Sequence, residues 1–194
     1  MARLARLLET VYLAPPPDSG KTDPRLVTFL AQIEHVTPAV FVYISTTGVY
    51  GDAGGALVDE FTPVAPSNDR SRRRVAAESA TQAWCAARGV RCVILRVPGI
   101  YGPDRLPLER LRRREPALRE EDAGPGNRIH VDDLVTAIVA AIDRLSAHGV
   151  FNVTDGDYAS TTTYLQLTAA AAGIEPPVLI SKAEALSKIP TGML

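Results

Sequence analysis

The sequence predicts an α/β protein built on a parallel sheet. Two observations carry this: four short apolar runs, at 10–14, 39–45, 90–97 and 150–154, alternate with segments of helical periodicity, and the middle two runs are almost continuously apolar. Strands that alternate with helices form βαβ units with right-handed crossovers, and a strand without polar alternation suits a parallel sheet covered on both faces.

The first run, TVYLA, is closed by Pro15, Pro16 and Pro17, which remove backbone donors and end a strand. Asp23 before Pro24 pairs a side-chain cap with a residue whose φ is preset for a helix. Leu26, Phe29, Leu30 and Ile33 then follow at i, i+3, i+4 and i+7. AVFVYIS, at 39–45, is the second strand. Beyond a polar loop, Ala76, Ala80, Ala83, Trp84 and Ala87 keep helical spacing up to a stop at Gly89, and VRCVILRV follows as the third strand. The segment 104–122 holds six arginines and six acids, which reads as a solvated, partly helical excursion. Leu134, Ile138, Ala141, Ile142 and Leu145 predict a helix ended at Gly149, with Asp132 or Asp133 as its cap. VFNVT is the fourth strand, and a last helix is expected at 161–172 before Gly173.

Composition narrows the function. Apolar residues make up 46%, charged residues 22%, and the formal net charge is -1, so neither nucleic acid nor a membrane surface is an expected partner. No apolar run approaches the ~18 residues of a membrane span, and the first residues lack a small-residue cleavage site, so a cytoplasmic location is expected. Cys85 and Cys92 read as core residues of a reducing compartment. The three histidines have no metal-ligand spacing, so no metal site is expected.

In an open α/β sheet, ligands gather beyond the carboxyl ends of the strands. Ser45, Thr46 and Thr47 stand at such an end; from position alone, satisfying turn backbone groups is their commoner use. PPPDSGKT mimics the end of a phosphate-cradling loop, but Pro15 stands where its first glycine is needed, and the prolines delete the cradle's donors. NDRSRRRVAAE puts four arginines at a helix start, against the helix dipole, where they read as a solvated turn or an anion site. His130, before a helix, reads as structural.

Taken in order, VYISTTGVYGD, VDEFTPVAPSNDRSRRRVAAE, LRVPGIYGPDRL, NRIHVDDLVTAIVAAI and FNVTDGD resemble the extended short-chain dehydrogenase/reductases of the NAD-dependent epimerase/dehydratase type, from about Thr10 onward. The resemblance implies a partial doubly wound, Rossmann-like parallel sheet. Thr46 matches the residue that hydrogen-bonds the substrate carbonyl, and Ser45 beside it falls on the cofactor side. Tyr50 belongs to the signature beside the substrate. Pro98, Gly99 and Ile100 match the loop along the nicotinamide, and Ala14 and Pro15 the strand end near the adenosine. The family's tyrosine and lysine fall on Arg70 and Arg74, which leaves Arg70 at the catalytic position and Arg74, with Arg105, on the substrate side. An arginine with pKa above ~12 does not exchange protons near neutrality, so the resemblance extends best to atypical members of the family.

The glycine-rich dinucleotide fingerprint is missing, since Gly51, Gly54 and Gly55 precede no helix, and the strand at Thr10 looks like the family's fourth. The expectation is a truncated member: one incomplete NAD(P)-binding domain over 1–194, lacking its first strands, with substrate-side segments at about 103–130 and 155–194. Its complete form would bind NAD or NADP and a small carbonyl or sugar-nucleotide-like substrate, whereas the chain as given would bind the dinucleotide weakly or not at all. The unprotected edge at 10–14 would favour homo-oligomers. The competing reading is a non-catalytic dinucleotide-sensing or partner-binding protein that kept the fold and lost the dyad.

Overall fold

The computed structural model describes residues 9–187. In chain order its elements are β1 (Glu9–Tyr12), α1 (Pro24–Gln32), β2 (Val40–Thr46), α2 (Asp69–Arg88), β3 (Arg91–Val97), β4 (Gly99–Tyr101) and α3 (Leu108–Arg112). There follow β5 (Ala117–Leu118), β6 (Arg128–His130), α4 (Val131–Asp143), β7 (Gly149–Asn152), α5 (Thr161–Ala172), β8 (Leu179–Ile180) and α6 (Lys182–Ser187). These fall into two compact units, the first reaching to residue 98 and including 131–153, the second made of 99–130 and the residues from 154 on.

The first unit is a four-stranded parallel sheet in the order β1-β2-β3-β7, as the apolar runs predict. On one face Leu26 and Leu30 of α1 and Ala77, Trp84 and Cys85 of α2 pack on Phe41, Tyr43 and Ile94, with Cys92 against the same cluster. The Phe41 and Trp84 rings lie 5.8 Å apart, and the Trp84 indole N–H donates to Leu30 O at 3.1 Å, so the aromatic ring also fixes the end of α1. Fully burying side chains such as Leu26 or Phe41 contributes about 1.5–3 kcal/mol each.

The second unit holds two small parallel pairs, β4-β6 and β5-β8, around a core of Leu111, Ala117, Leu165 and Ala169. Its strands are two or three residues long, too short for a periodic signal.

Three boundaries differ from the sequence expectation. β1 stops at Tyr12, so Ala14 and Pro15 lie in the following loop. α2 starts at Asp69, where Asn68 Oδ1 accepts from Ser71 N, so the arginine cluster is helical throughout. The helix expected to run through Leu145 to Gly149 ends at Asp143. Leu145 is exposed, and Gly149, with φ +95°, opens β7. Arg91 causes that stop by collecting the carbonyls of Ala141, Ile142, Arg144 and Ala147, which a continued helix would have used. Asp132 and Asp133 lie in the first turn of α4 and are not its cap.

Candidate functional site at the carboxyl edge of the first sheet

The strands of the first unit all run the same way, so the ends of β1, β2 and β3 share one edge, where Thr46 pairs with Val97 and Pro98 follows. Thr46, half-buried, is the last residue of β2. The chain then turns through a single 3-10 turn at Thr47–Tyr50, and Thr46 Oγ1 accepts from Gly48 N at 3.2 Å. That bond uses a lone pair and leaves the hydroxyl proton to be donated. A Cβ at Gly48 would come within 3.2 Å of Ser71 Oγ and 3.5 Å of Thr46 Oγ1, so these two hydroxyls flank the glycine. Gly51, at φ +72°, brings the next loop back: a Cβ there would meet Ala65 O at 2.1 Å, and Ala65 N donates to Val49 O.

Behind Thr46 lies a buried ion pair. Arg96 of β3 donates from Nη2 to Glu78 Oε2 at 2.8 Å and from Nε to Oε1 at 3.2 Å, and both side chains are about 6–7% exposed. Ser45 Oγ donates to the same carboxylate, and Arg96 Nη1 donates to the Tyr50 phenol at 2.8 Å. Tyr50 in turn donates to Asn152 Oδ1 at 2.8 Å, and Asn152 N donates to Glu60 Oε1 at 2.7 Å, tying the loop after the 3-10 turn to β7. Burial alone would lower the Arg96 pKa; the bonds to Glu78 and Tyr50 outweigh it and hold the guanidinium above its ordinary value. The hydroxyls of Ser45 and Tyr50 are therefore spent on protein partners, and both residues are buried.

The four arginines separate by role. Arg70 is exposed; Arg72 pairs with Asp69 at 2.8 Å. Arg73 is buried and donates to Gly20 O at 2.6 Å, holding the loop before α1 against α2. Arg74 donates to Tyr43 OH at 3.0 Å and to Ile44 O at 3.1 Å. This arginine-on-tyrosine pair superficially replaces the family dyad, but Tyr43 is fully buried, and burial pushes its phenol up to about 12 against the lowering effect of Arg74. A phenol so placed holds its proton and has no route to a substrate. Ala14 and Pro15 follow the end of β1 in a loop, and Pro98 follows β3. Gly99, Ile100 and Arg105 belong to the second unit, where Ile100 pairs with Ile129 and Arg105 is exposed in a turn closed by its N–H on Gly102 O.

Glu78, Ser71 and Arg96 escape a reading by motif. Arg96 interrupts an apolar strand, a place where a charge needs a buried partner. Glu78, by contrast, lies opposite the stripe of Ala76, Ala80, Ala83 and Ala87 that the spacing predicts as the core face. α2 buries Ala77, Glu78, Thr81, Trp84 and Cys85 instead, and Ala83 and Ala87 are exposed.

A dinucleotide needs a place for its pyrophosphate, ordinarily a helix N-terminus with free N–H groups. Among the described residues, the helices of eight residues or more carry their own side chains there. Asp23 Oδ1 accepts from Leu26 N at 3.0 Å on α1, and Asn68 caps α2 with Asp69 in its first turn. Asp132 and Asp133 occupy the first turn of α4. Ser160 caps α5 and donates to Glu120 Oε2 at 2.8 Å. Gly48, Gly51 and Gly54 lie in a 3-10 turn and a loop well before α2. The described residues do not fit the phosphates of NAD.

The sequence model of the NAD dependent epimerase/dehydratase family matches residues 25–154. The chain belongs to this family. It is 34% identical over 113 residues to the dTDP-glucose 4,6-dehydratase of Mycobacterium tuberculosis (strain ATCC 25618 / H37Rv), over 53% of this chain and 34% of that protein. Among solved structures it is similar to a functionally unknown conserved protein from Silicibacter pomeroyi DSS, with TM-score 0.78, 29% identity and coverage of 94% of this chain and 63% of the other. The UDP-glucuronic acid 4-epimerase of Bacillus cereus, solved with NAD, shares the fold with TM-score 0.75 at 19% identity, over 89% of this chain and 63% of that one. The chain thus spans about a third of the dehydratase and under two thirds of the two solved proteins. No described helix is long and apolar enough to cross a membrane.

Proposed function

We propose that this epimerase/dehydratase family member, in a form complete over the length of its relatives, is an NAD(P)-dependent oxidoreductase acting on a small carbonyl or sugar-nucleotide-like substrate, with Thr46 holding the substrate oxygen. The observation that carries the reading is the Thr46 hydroxyl: it stands at the carboxyl end of β2, its lone pair taken by Gly48 N and its proton available. Tyr50 acts through packing, since its phenol is saturated by Arg96 and Asn152. Arg70 supplies fixed positive charge near a developing oxyanion and moves no proton. Pro98, Gly99, Ile100, Ala14 and Pro15 are assigned to the cofactor side, and Arg74 and Arg105 to the substrate side, by motif.

The test is turnover of a panel of nucleotide sugars by the full-length protein with NAD or NADP. Thr46→Val should lower kcat/KM by about 100-fold, the loss of one oxyanion donor, while Thr46→Ser retains most of it. Equal activity of Thr46→Val and the wild type would remove Thr46 from the chemistry. Dinucleotide binding without turnover of any substrate would favour the non-catalytic reading, which the missing dyad motivates.

A further inference from the structure

We propose that Cys85 and Cys92 form a peroxide-sensitive modification site: hydrogen peroxide oxidises Cys92, and Cys85 completes the change as a disulfide within the chain that a dithiol reverses. The inference lies outside the dinucleotide reading and uses neither Thr46 nor the second unit. These are the two cysteines of the chain, and both are free.

Local structure brings them together across the connection from α2 to β3. α2 runs to Arg88, Gly89 closes it in the left-handed conformation, and Val90 N donates to Cys85 O at 3.0 Å, so the chain doubles back over the last turn of the helix. β3 then begins at Arg91, and alternate residues of a strand share a face. Val90, Cys92 and Ile94 accordingly turn toward α1 and α2, where they pack in the cluster that holds Trp84 and Cys85. There the two thiols hydrogen-bond each other. Thiols already in contact need little backbone movement to reach the roughly 2 Å of a disulfide, and Ala86, Ala87 and Gly89 in the turn that has to give are exposed.

The pair is asymmetric, and the asymmetry assigns the roles. Cys85 is 1% exposed, whereas Cys92 is half-buried. The Cys85 thiol donates to the Cys92 sulfur. That bond holds the Cys92 thiol below its ordinary pKa against the raising effect of burial, and it pushes the Cys85 thiol up, with burial adding to it. Cys92 is therefore the thiolate and the nucleophile. It attacks one oxygen of hydrogen peroxide: an S–O bond forms, the O–O bond breaks, and hydroxide leaves and is protonated to water. The Cys85 sulfur then attacks the sulfenic sulfur of Cys92. An S–S bond forms, the S–O bond breaks, and the Cys85 proton leaves with the hydroxide as a second water. Cys92 is level with Phe41, at the opposite end of β3 from Val97 and its partner Thr46, so the disulfide ties α2 to the sheet without touching the carboxyl edge.

A pair that only fills the core is inert to peroxide in the folded chain, and that difference is measurable. The reduced full chain is treated with hydrogen peroxide near neutral pH, alkylated, and mapped by mass spectrometry after trypsin, which cuts at Arg88 and Arg91 between the two cysteines. The expected result is the joint loss of both thiols, a linked peptide joining Cys85 to Cys92, a single-chain band on a non-reducing gel, and return of both thiols with dithiothreitol. Cys85→Ser keeps a hydroxyl donor but removes the resolving sulfur, so Cys92 should stop at the sulfenic acid and be trapped by dimedone. Cys92→Ser leaves Cys85 buried and should slow thiol loss by at least about tenfold. The proposal is overturned if the folded wild-type chain keeps both thiols under peroxide that oxidises the urea-unfolded chain, if the disulfides link two chains, or if dimedone present during oxidation of the wild type marks Cys85 instead of Cys92. These three outcomes are read on the wild type, so they decide the matter even where a serine variant fails to fold.

Discussion

Glu78 and Arg96 meet in the interior of the first unit, and each is safe there only because of the other. Removing one partner of a buried pair strands the other charge, so Glu78→Ala should cost about 3–5 kcal/mol of unfolding free energy, read from urea midpoints, and the double change Glu78→Met with Arg96→Met should recover most of it. Equal losses for the single and double variants would show that the two charges are not coupled. Tyr43 gives a pH signature. Its pKa is raised from 10.0 to about 12, so folding favours the neutral phenol. That contribution is fully present below pH ~10 and is lost as pH rises through ~12, by about 3 kcal/mol. Tyr43→Phe has no proton to lose, and its unfolding free energy should be flatter over that alkaline window; identical pH profiles would place the Tyr43 phenol near its ordinary value. The place of Thr46 at the end of β2 was legible because the apolar run stops there in a cluster of hydroxyls. The Glu78–Arg96 pair was not, because the partners are 18 residues apart and Glu78, on the helix side opposite the alanine stripe, resembles an ordinary solvated charge.

Elements divide along the same physical line. α1 was legible because Asp23 caps it, and α2 and α5 because Gly89 and Gly173 close them in the left-handed conformation; the caps Asn68 and Ser160, which fix where those two helices start, were not read. The end of α4 was not, since Arg91 terminates it from 50 residues away in sequence. The pairs β4-β6 and β5-β8 carry too few residues for a period to show. β1 is the element with a consequence in solution. Among the described residues it pairs with β2 alone, and Glu9 is its one charged residue, so little on the strand itself blunts the open edge. Self-association of this chain is the expected outcome, visible as a mass that rises with concentration in size exclusion with light scattering. A monodisperse monomer at high concentration would mean that the edge is covered.

At the scale of the molecule, family and cofactor chemistry separate. The chain belongs to the NAD dependent epimerase/dehydratase family, and its first sheet ends β2 at Thr46 beside Val97 of β3. Yet the longer helices of the described residues spend their N-termini on Asp23, Asn68, Ser160 and the acids of α4, and three of the four clustered arginines are engaged by Asp69, Gly20, Tyr43 and Ile44. What remains for a dinucleotide is the hydroxyl and loop contact without a phosphate cradle, and losing two or three charge-assisted hydrogen bonds of about 1.5–3 kcal/mol each removes several powers of ten in affinity. Calorimetric titration of this chain with NAD and with NADP tests that most directly. No saturable binding below the millimolar range is expected for either, and a micromolar dissociation constant for one of them would mean that the chain holds a phosphate site of its own.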